Sequence, residues 1–373
     1  MNINDDINLQ GNSYRKASLA FAKKEKLTDR GIYWLKVDIA NNYGLDKCSF
    51  EDRVNWVDTN IDNILKDPES YIPSAEEPLL FKRAIIAYKE GVIEGKAIGH
   101  ICQLDATASG PQIMSTVMRD VKAMKYFNVI GDDIRHDYYT LVAKETYNKT
   151  KSSDLWKGYP DFNAIRKVIK KPLMTLFYNS KSKPKEMFGD DTAELKAFYE
   201  VVNEYTKGAM DLMDIINSAW DDTKSLNTWR LPDGHTAYCP VSKTETKRIE
   251  LKEINAVVNY MHTSVKPNPD EHRSLVPNII HALDAWICRM IIESLHDDGV
   301  EVSPIHDSFG VHPNHCDNLR KTYRGLLARL YREDIIDDIL SELTSSEFKI
   351  DKPAYDKDID LAIRNNSKGY YIC

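Results

Sequence analysis

Apolar residues recur among charged ones at helical spacing from Glu51 to Leu65 and from Pro78 to Glu90, which predicts two amphipathic helices separated by Pro73, Ser74 and Pro78. Ala97 to Leu104 is then a short apolar run, read as a strand that delivers Asp105 at its end. Ser109-Gly110-Pro111 turns the chain and opens a helix, with the proline in its first turn. Ile134 to Tyr147 repeats the helical pattern, a polar linker covers Lys149 to Pro160, and a helix carrying Arg166, Lys170 and their neighbours follows. Residues 192–220 predict one long amphipathic helix, with Leu195, Phe198, Tyr199, Val202, Tyr205 and Met210 on its apolar face. After Pro232-Asp233-Gly234, the Thr, Tyr and Val clusters between His235 and His262, broken by the polar patch Ser242 to Lys247, predict a β-hairpin. A helix from Asn278 to Leu295 leads through Asp297-Asp298-Gly299 to a strand, turn and strand around Asp307. The expected class is α+β and mostly helical, with no internal repeat or low-complexity tract.

Composition narrows this little. At 373 residues, with 42% hydrophobic and 29% charged, the chain has ample material for a core and reads as an ordinary globular protein. No run approaches eighteen consecutive apolar residues, and Met1-Asn-Ile-Asn-Asp-Asp6 has neither a basic head nor an apolar stretch, so a cytoplasmic protein without a membrane partner is expected. The six cysteines, at 48, 102, 239, 288, 316 and 373, are scattered without a C-x-x-C pair, which predicts reduced thiols. A net charge of -7 argues against indiscriminate coating of nucleic acid. Against that background, residues 166–185 hold Arg166, Lys167, Lys170, Lys171, Lys181, Lys183 and Lys185 with no acidic residue. A bare basic run is usually a solvated face. Here Leu173, Met174, Phe177 and Tyr178 interleave with it.

Two aspartates, each at the end of a short apolar run, carry the chemistry. Taken singly, Asp105 and Asp307 read as turn residues. Taken with the basic and aromatic segment between them, they read as carboxylates for metal-assisted phosphoryl transfer, in which two cations about 3.5 to 4 Å apart clamp the entering and leaving oxygens. Magnesium takes few carboxylates from protein, so two aspartates suffice. Lys170 is placed to balance triphosphate charge and to act as general acid toward pyrophosphate. Arg166 lies one turn earlier on the same helix face, and Tyr178 two turns later, so the three predict one stripe. His306, His312, His315 and Cys316 also fit a zinc-like pattern, but the intervening proline and asparagine predict a surface loop instead.

At this point the residues resemble a family, the single-subunit DNA-dependent RNA polymerases of T-odd phages and mitochondria. Leu104-Asp105-Ala-Thr-Ala-Ser109-Gly110-Pro-Gln112 is similar to its motif A, Arg166 through Ser180 to motif B, and His306-Asp307-Ser308-Phe309-Gly310 to motif C. The resemblance implies Asp105 and Asp307 as ligands of two Mg2+ ions, Lys170 as the third catalytic residue, and Tyr178 as the selector of ribose over deoxyribose. It further implies Lys47, within Leu45-Asp46-Lys47, as a triphosphate contact. Tyr139 on a fingers helix, Arg166, and His281 within Pro277-Asn278-Ile-Ile-His281-Ala-Leu-Asp284 are implied as nucleotide-binding residues. The hairpin after Gly234 aligns with the promoter-reading specificity loop, and Tyr370-Tyr371-Ile372-Cys373 is similar to the family's aromatic foot. Asn179 stands where the family has glycine, and asparagine is the next best residue for a positive φ.

The implied fold is a right-hand polymerase. Residues 1–121 are the first part of the palm, 122–280 the fingers with the hairpin, and 281–373 the rest of the palm and the foot. A thumb and an N-terminal domain are not represented. The resemblance therefore implies DNA template, NTPs and RNA product as ligands and a second polymerase subunit supplying the missing half, as in the heterodimeric enzymes of schitovirus-type phages. It also implies a loading or single-strand-binding factor as a further partner, and the host cytoplasm as the location. Two other readings stay open at this stage: a primase or DNA polymerase of the same palm superfamily, and a non-catalytic DNA-binding subunit.

Overall fold

In a computed structural model of the chain, the described residues are 10–131, 134–254, 256–267 and 269–373. The centre is a small antiparallel sheet of β1 (Cys102–Asp105), β7 (Ser308–Val311) and β6 (Ser303–Ile305), in the order β1-β7-β6. Cys102 pairs with Val311 and Asp105 with Ser308, while Ile305 pairs with Ser308 across the β6–β7 turn. The predicted strand from Ala97 is therefore shorter than its apolar run. Its early part makes only an isolated bridge between Ile98 and Glu25.

Helices pack behind this sheet. Every residue of Ser109–Val117 is buried, and this helix contacts both Leu275–Asp297 and Cys316–Arg332. The Leu275–Asp297 helix is long and apolar enough by length and composition to cross a membrane. It is instead a core helix: Ile279, Ile280, Leu283, Trp286, Ile287 and Ile291 are buried in the main hydrophobic cluster, and it also carries Asp284, Arg289 and Glu293. Helix Asp29–Ala40 joins two cores, giving Trp34 and Val37 to the main cluster and Leu35 and Ile39 to a second one built with Phe50–Lys66 and Pro78–Tyr88.

Two expectations are corrected. The single helix over 192–220 is two, Ala193–Tyr205 and Lys207–Ser218, broken at Thr206. Thr206 leaves helical geometry at φ -140, its hydroxyl donates to the Val202 carbonyl at 2.7 Å, and the Tyr138 hydroxyl meets it at 3.1 Å. Asp120 then accepts from the Gly208 N–H at 2.9 Å, satisfying one of the free donors of the second helix. Apolar periodicity continues through the break because both helices face the same core.

The single hairpin over 235–262 is also two, β2–β3 (Leu226–Arg230, Thr236–Pro240) and β4–β5 (Ser242–Leu251, Ala256–Val265). The polar patch at 242–247 lies inside β4, paired from Ser242↔Val265 to Lys247↔Tyr260. Both faces of β4 are largely exposed, so polar residues there do not mark a turn.

Candidate active site

Asp105 and Asp307 meet because β1 and the β6–β7 turn are neighbours. Asp105 ends β1 opposite Ser308, whose hydroxyl donates to the Asp105 carboxylate, and the Ala106 N–H donates to the Asp307 carbonyl at 3.1 Å. The turn that presents Asp307 contains His306 at φ 55, a left-handed conformation uncommon outside glycine and of the kind found where function fixes the backbone. Both aspartates line one cleft of about 590 Å³ together with Lys170. Burial pushes the Asp307 carboxyl up to about 6, and the neighbouring Asp284 and Asp105 carboxylates add to the shift. Such crowding of oxygen donors suits a small hard divalent cation, and the donor set fits magnesium.

The C-terminal residues brace this corner. The Asp105 N–H donates to the Cys373 carbonyl at 3.2 Å and the Cys373 N–H returns to the Asp105 carbonyl at 3.0 Å, while the Thr107 N–H reaches Tyr371 at 3.2 Å. Arg320, almost fully buried, donates to the carbonyls of Ile372, Ser367 (3.1 Å) and Gly369 (2.6 Å). Gln112, in the helix that follows Asp105, donates to the Phe127 and Tyr371 carbonyls, both at 2.9 Å, and accepts from the Tyr323 hydroxyl at 3.0 Å. The residues between Asp105 and this helix are thus held by buried hydrogen bonds, each costly to leave unmade.

Lys170 comes from the Phe162–Leu176 helix, with its ammonium 5.5 Å from the centre of the Tyr139 ring. A second, adjoining compartment is lined by Lys47, Tyr139 and Arg166, and shares Asp46, Glu76, Thr107, Arg135 and Lys170 with the first. Lys47 therefore does not line the aspartate cleft itself, and its ammonium is 3.4 Å from Asp46. Arg166 is committed to structure: its guanidinium donates to Asp137 and, at 2.7 Å, to the Thr140 hydroxyl, tying the motif B helix to Tyr138–Lys149. Burial opposes ionisation of Asp137, but the Thr140 hydrogen bonds and Arg166 hold its carboxyl below the usual range. Farther on, Lys183 pairs with Glu186 and Lys185 with Asp190, so the end of the basic run is a solvated face.

The helix that carries Arg166 and Lys170 stops at Leu176, so Tyr178 stands just beyond its end rather than on its face. Tyr178 packs on His281, ring centres 4.9 Å apart, and a Cβ on Gly110 would come within 2.9 Å of its phenol oxygen. Glycine at 110 is what lets that phenol lie against the motif A helix. Burial drives the Tyr178 hydroxyl up to about 12, helped by Asp284 and Asp307, so it is a neutral donor. Tyr139 is likewise pushed up to about 12, by burial and then by Tyr178. Asn179 takes φ 63, the expected left-handed conformation, and its amide donates to Asn217 at 2.9 Å.

Two residues escaped the sequence reading. Asp284 accepts from Ser109, and burial raises its carboxyl; it sits one helical turn after His281, a spacing that was visible in the sequence. Arg135 lines both compartments, and its buried Nε has no hydrogen-bond partner. It stands in an irregular stretch, where no periodicity marks it.

With this geometry established, the comparison with known families is decisive. The model of DNA-dependent RNA polymerase matches residues 25–185 and 185–368. The chain belongs to that family. It is 28% identical to the DNA-directed RNA polymerase of Pseudomonas phage phiKMV over 374 residues, 87% of this chain and 45% of that protein. It is 24% identical to T7 RNA polymerase of Escherichia phage T7, over 96% of this chain and 50% of that one. A probable DNA-directed RNA polymerase of Neurospora crassa is 25% identical over 83% of the chain and 40% of its own length. The chain spans about half the length of the curated relatives it matches.

Proposed function

We propose that this chain carries the nucleotidyl-transfer centre of a DNA-templated RNA polymerase and works with a second polypeptide that supplies the half of the relatives it does not align with. The observation that carries the reading is the pairing of β1 with β7, which brings Asp105 and Asp307 into one cleft with Lys170. Asp105 and Asp307 would hold two Mg2+ ions, which supply charge stabilisation for the entering and leaving oxygens when bound. The 3′ hydroxyl of the growing RNA gives up its proton to solvent and forms the new bond to the α-phosphorus of an NTP, the bond to pyrophosphate breaks, and Lys170 donates a proton to that leaving group. Lys47 and Arg135 neutralise the triphosphate from the adjoining compartment. Tyr139 and Arg166 shape its wall. Tyr178, a neutral phenol against His281, offers a hydrogen bond to the ribose 2′ hydroxyl, which favours NTPs over dNTPs.

In this reading residues 1–121 and 281–373 form the palm and 122–280 the fingers. The β4–β5 hairpin faces DNA, and synthesis takes place in the cytoplasm of a bacterial host. A loading or single-strand-binding factor that delivers template completes the proposed set of partners.

The test is transcription by the purified chain, alone and co-expressed with the adjacent reading frame, on single- and double-stranded DNA with NTPs and Mg2+. RNA is expected from the pair and little from the single chain. Full activity of the chain alone removes the second polypeptide, and synthesis surviving Asp307→Asn removes the metal assignment.

A further inference from the structure

Away from the cleft, a second group of donors is assembled from distant parts of the sequence. Glu25 lies in the segment before helix Asp29–Ala40, whereas His312 precedes and His315 ends the short turn Pro313–His315 between β7 and helix Cys316–Arg332. One carboxylate oxygen and one ring nitrogen from each histidine all lie within 4.8 Å of one another. Glu25 and His315 Nε2 are already 3.0 Å apart. Donors roughly 2.0 to 2.2 Å from one tetrahedral metal lie about 3.3 to 3.6 Å apart, so small side-chain movements would bring this set into coordination range.

We propose that Glu25, His312 and His315 form a zinc site, a two-histidine, one-carboxylate set completed by water, which clasps the segment ahead of β1 to the turn that follows β7.

Three features carry this beyond proximity. His312 is 4% exposed and, among the described residues, its Nε2 has no hydrogen-bond partner, an unusual state for a buried imidazole. Its other ring nitrogen, Nδ1, accepts from the Asn314 N–H at 3.3 Å, which fixes the orientation of the ring. The scaffold is also fixed independently of any ion. Asn314 accepts from the Thr28 N–H and donates to the Lys26 carbonyl, both at 2.9 Å, and Arg30 grips Asp317 with two hydrogen bonds of 2.7 and 2.8 Å. Lys23, 3.5 Å from Glu25, is a surface cation that a bound metal would outcompete.

The donor set differs from the zinc-like pattern in the sequence. His306 is in the β6–β7 turn beside Asp307, and Cys316 is fully buried next to Cys102. The real third donor, Glu25, is almost 290 residues away in sequence. Nitrogen ligands select zinc over magnesium, which takes oxygen. Its role would be structural. Glu25 exchanges both backbone hydrogen bonds with Ile98, each at 2.9 Å, just ahead of the strand that ends at Asp105, while His312 directly follows the strand that starts after Asp307.

The experiment uses the full chain carrying Asp105→Asn and Asp307→Asn, which silences the cleft, in excess Mg2+. Zinc content is measured after dialysis, Co2+ substitution is followed by its visible absorption bands, and melting is recorded with and without zinc. The expected result is one retained zinc per chain, tetrahedral cobalt bands and a zinc-dependent rise in Tm. Glu25→Gln and His315→Asn, both partly exposed positions that leave the core intact, should each weaken zinc binding by at least about tenfold and abolish the Tm rise. Absence of stoichiometric zinc in the parent, or equal zinc uptake by parent and variants, overturns the site.

Discussion

The molecule holds two very different uses of antiparallel pairing. The sheet that presents Asp105 and Asp307 has strands of only four, four and three residues, yet Leu104, Phe309 and Val311 are buried and the strand ends are braced by Gln112, Arg320 and the C-terminal residues. The β4–β5 hairpin pairs ten residues with ten, and Val257, Val258, Tyr260 and Met261 all stand in solvent. Backbone ladders alone do not make a rigid scaffold, because a two-stranded hairpin is marginal in water. Burial and cross-bracing fix the short sheet, which suits chemistry that tolerates little misplacement. The long hairpin has both faces largely in water.

The sharpest way to break this contrast is at the carboxylates. Asp105→Asn or Asp307→Asn should lower nucleotidyl transfer by about a thousandfold or more, read as primer extension by the complete enzyme. Melting should not fall for Asp307→Asn, since burial already disfavours the charged carboxylate there. Next comes truncation in each region. Phe309→Ala should cost about 3 to 5 kcal/mol in urea unfolding, against less than about 0.5 kcal/mol for Met261→Ala on the hairpin. Similar losses at both positions would show that the hairpin is as well packed as the sheet.

A smaller effect tests the close approach at Gly110. Alanine there should change stability by no more than about 1 kcal/mol, yet by displacing the Tyr178 phenol it should reduce NTP over dNTP preference at least about tenfold, as should Tyr178→Phe. Unchanged sugar preference in both variants would remove Tyr178 from the selection.

The smallest expected effect is acid sensitivity on the buried side. His100 is fully buried against Asp38 at 2.8 Å, and burial lowers its pKa, so the unfolded chain takes up a proton that the folded one resists. Stability from this residue is complete above the ordinary histidine pKa and is lost as pH falls below it. Between pH 7.5 and 6 the loss is at most about 0.8 kcal/mol, and His100→Asn should remove it. Asp307, raised to about 6, works in the opposite direction over its own range, from its ordinary 3.8 upward, so the informative quantity is the difference between variant and parent. Equal pH slopes would assign the acid sensitivity elsewhere.

Much of the site was legible because its chemistry is local. Each aspartate follows a short apolar run, Lys170 sits in a basic helix interleaved with apolar residues, and Asn179 stands where a positive φ is needed. Less was legible where neighbours decide. The break at Thr206 depends on Tyr138 and Asp120 reaching in from other helices, and the second hairpin depends on both of its faces lying in water. Arg166 was implied as a nucleotide-binding residue, and only the structure shows that its guanidinium is paired with Asp137. Lys47 and Lys170 are equal cations in sequence, yet only Lys170 borders both compartments.

The sequence by itself determined the mostly helical class, the approximate place of most elements, the family resemblance, and the chemical kinds of group at hand, because periodicity, turn residues and short motifs act over a few neighbouring positions. The tertiary structure alone decided which of those groups share a cleft, which carboxylate is desolvated, and that Glu25 faces His312 and His315 across the fold. Those facts follow from long-range packing, where electrostatic and hydrogen-bond energies depend on distances between residues that lie hundreds of positions apart.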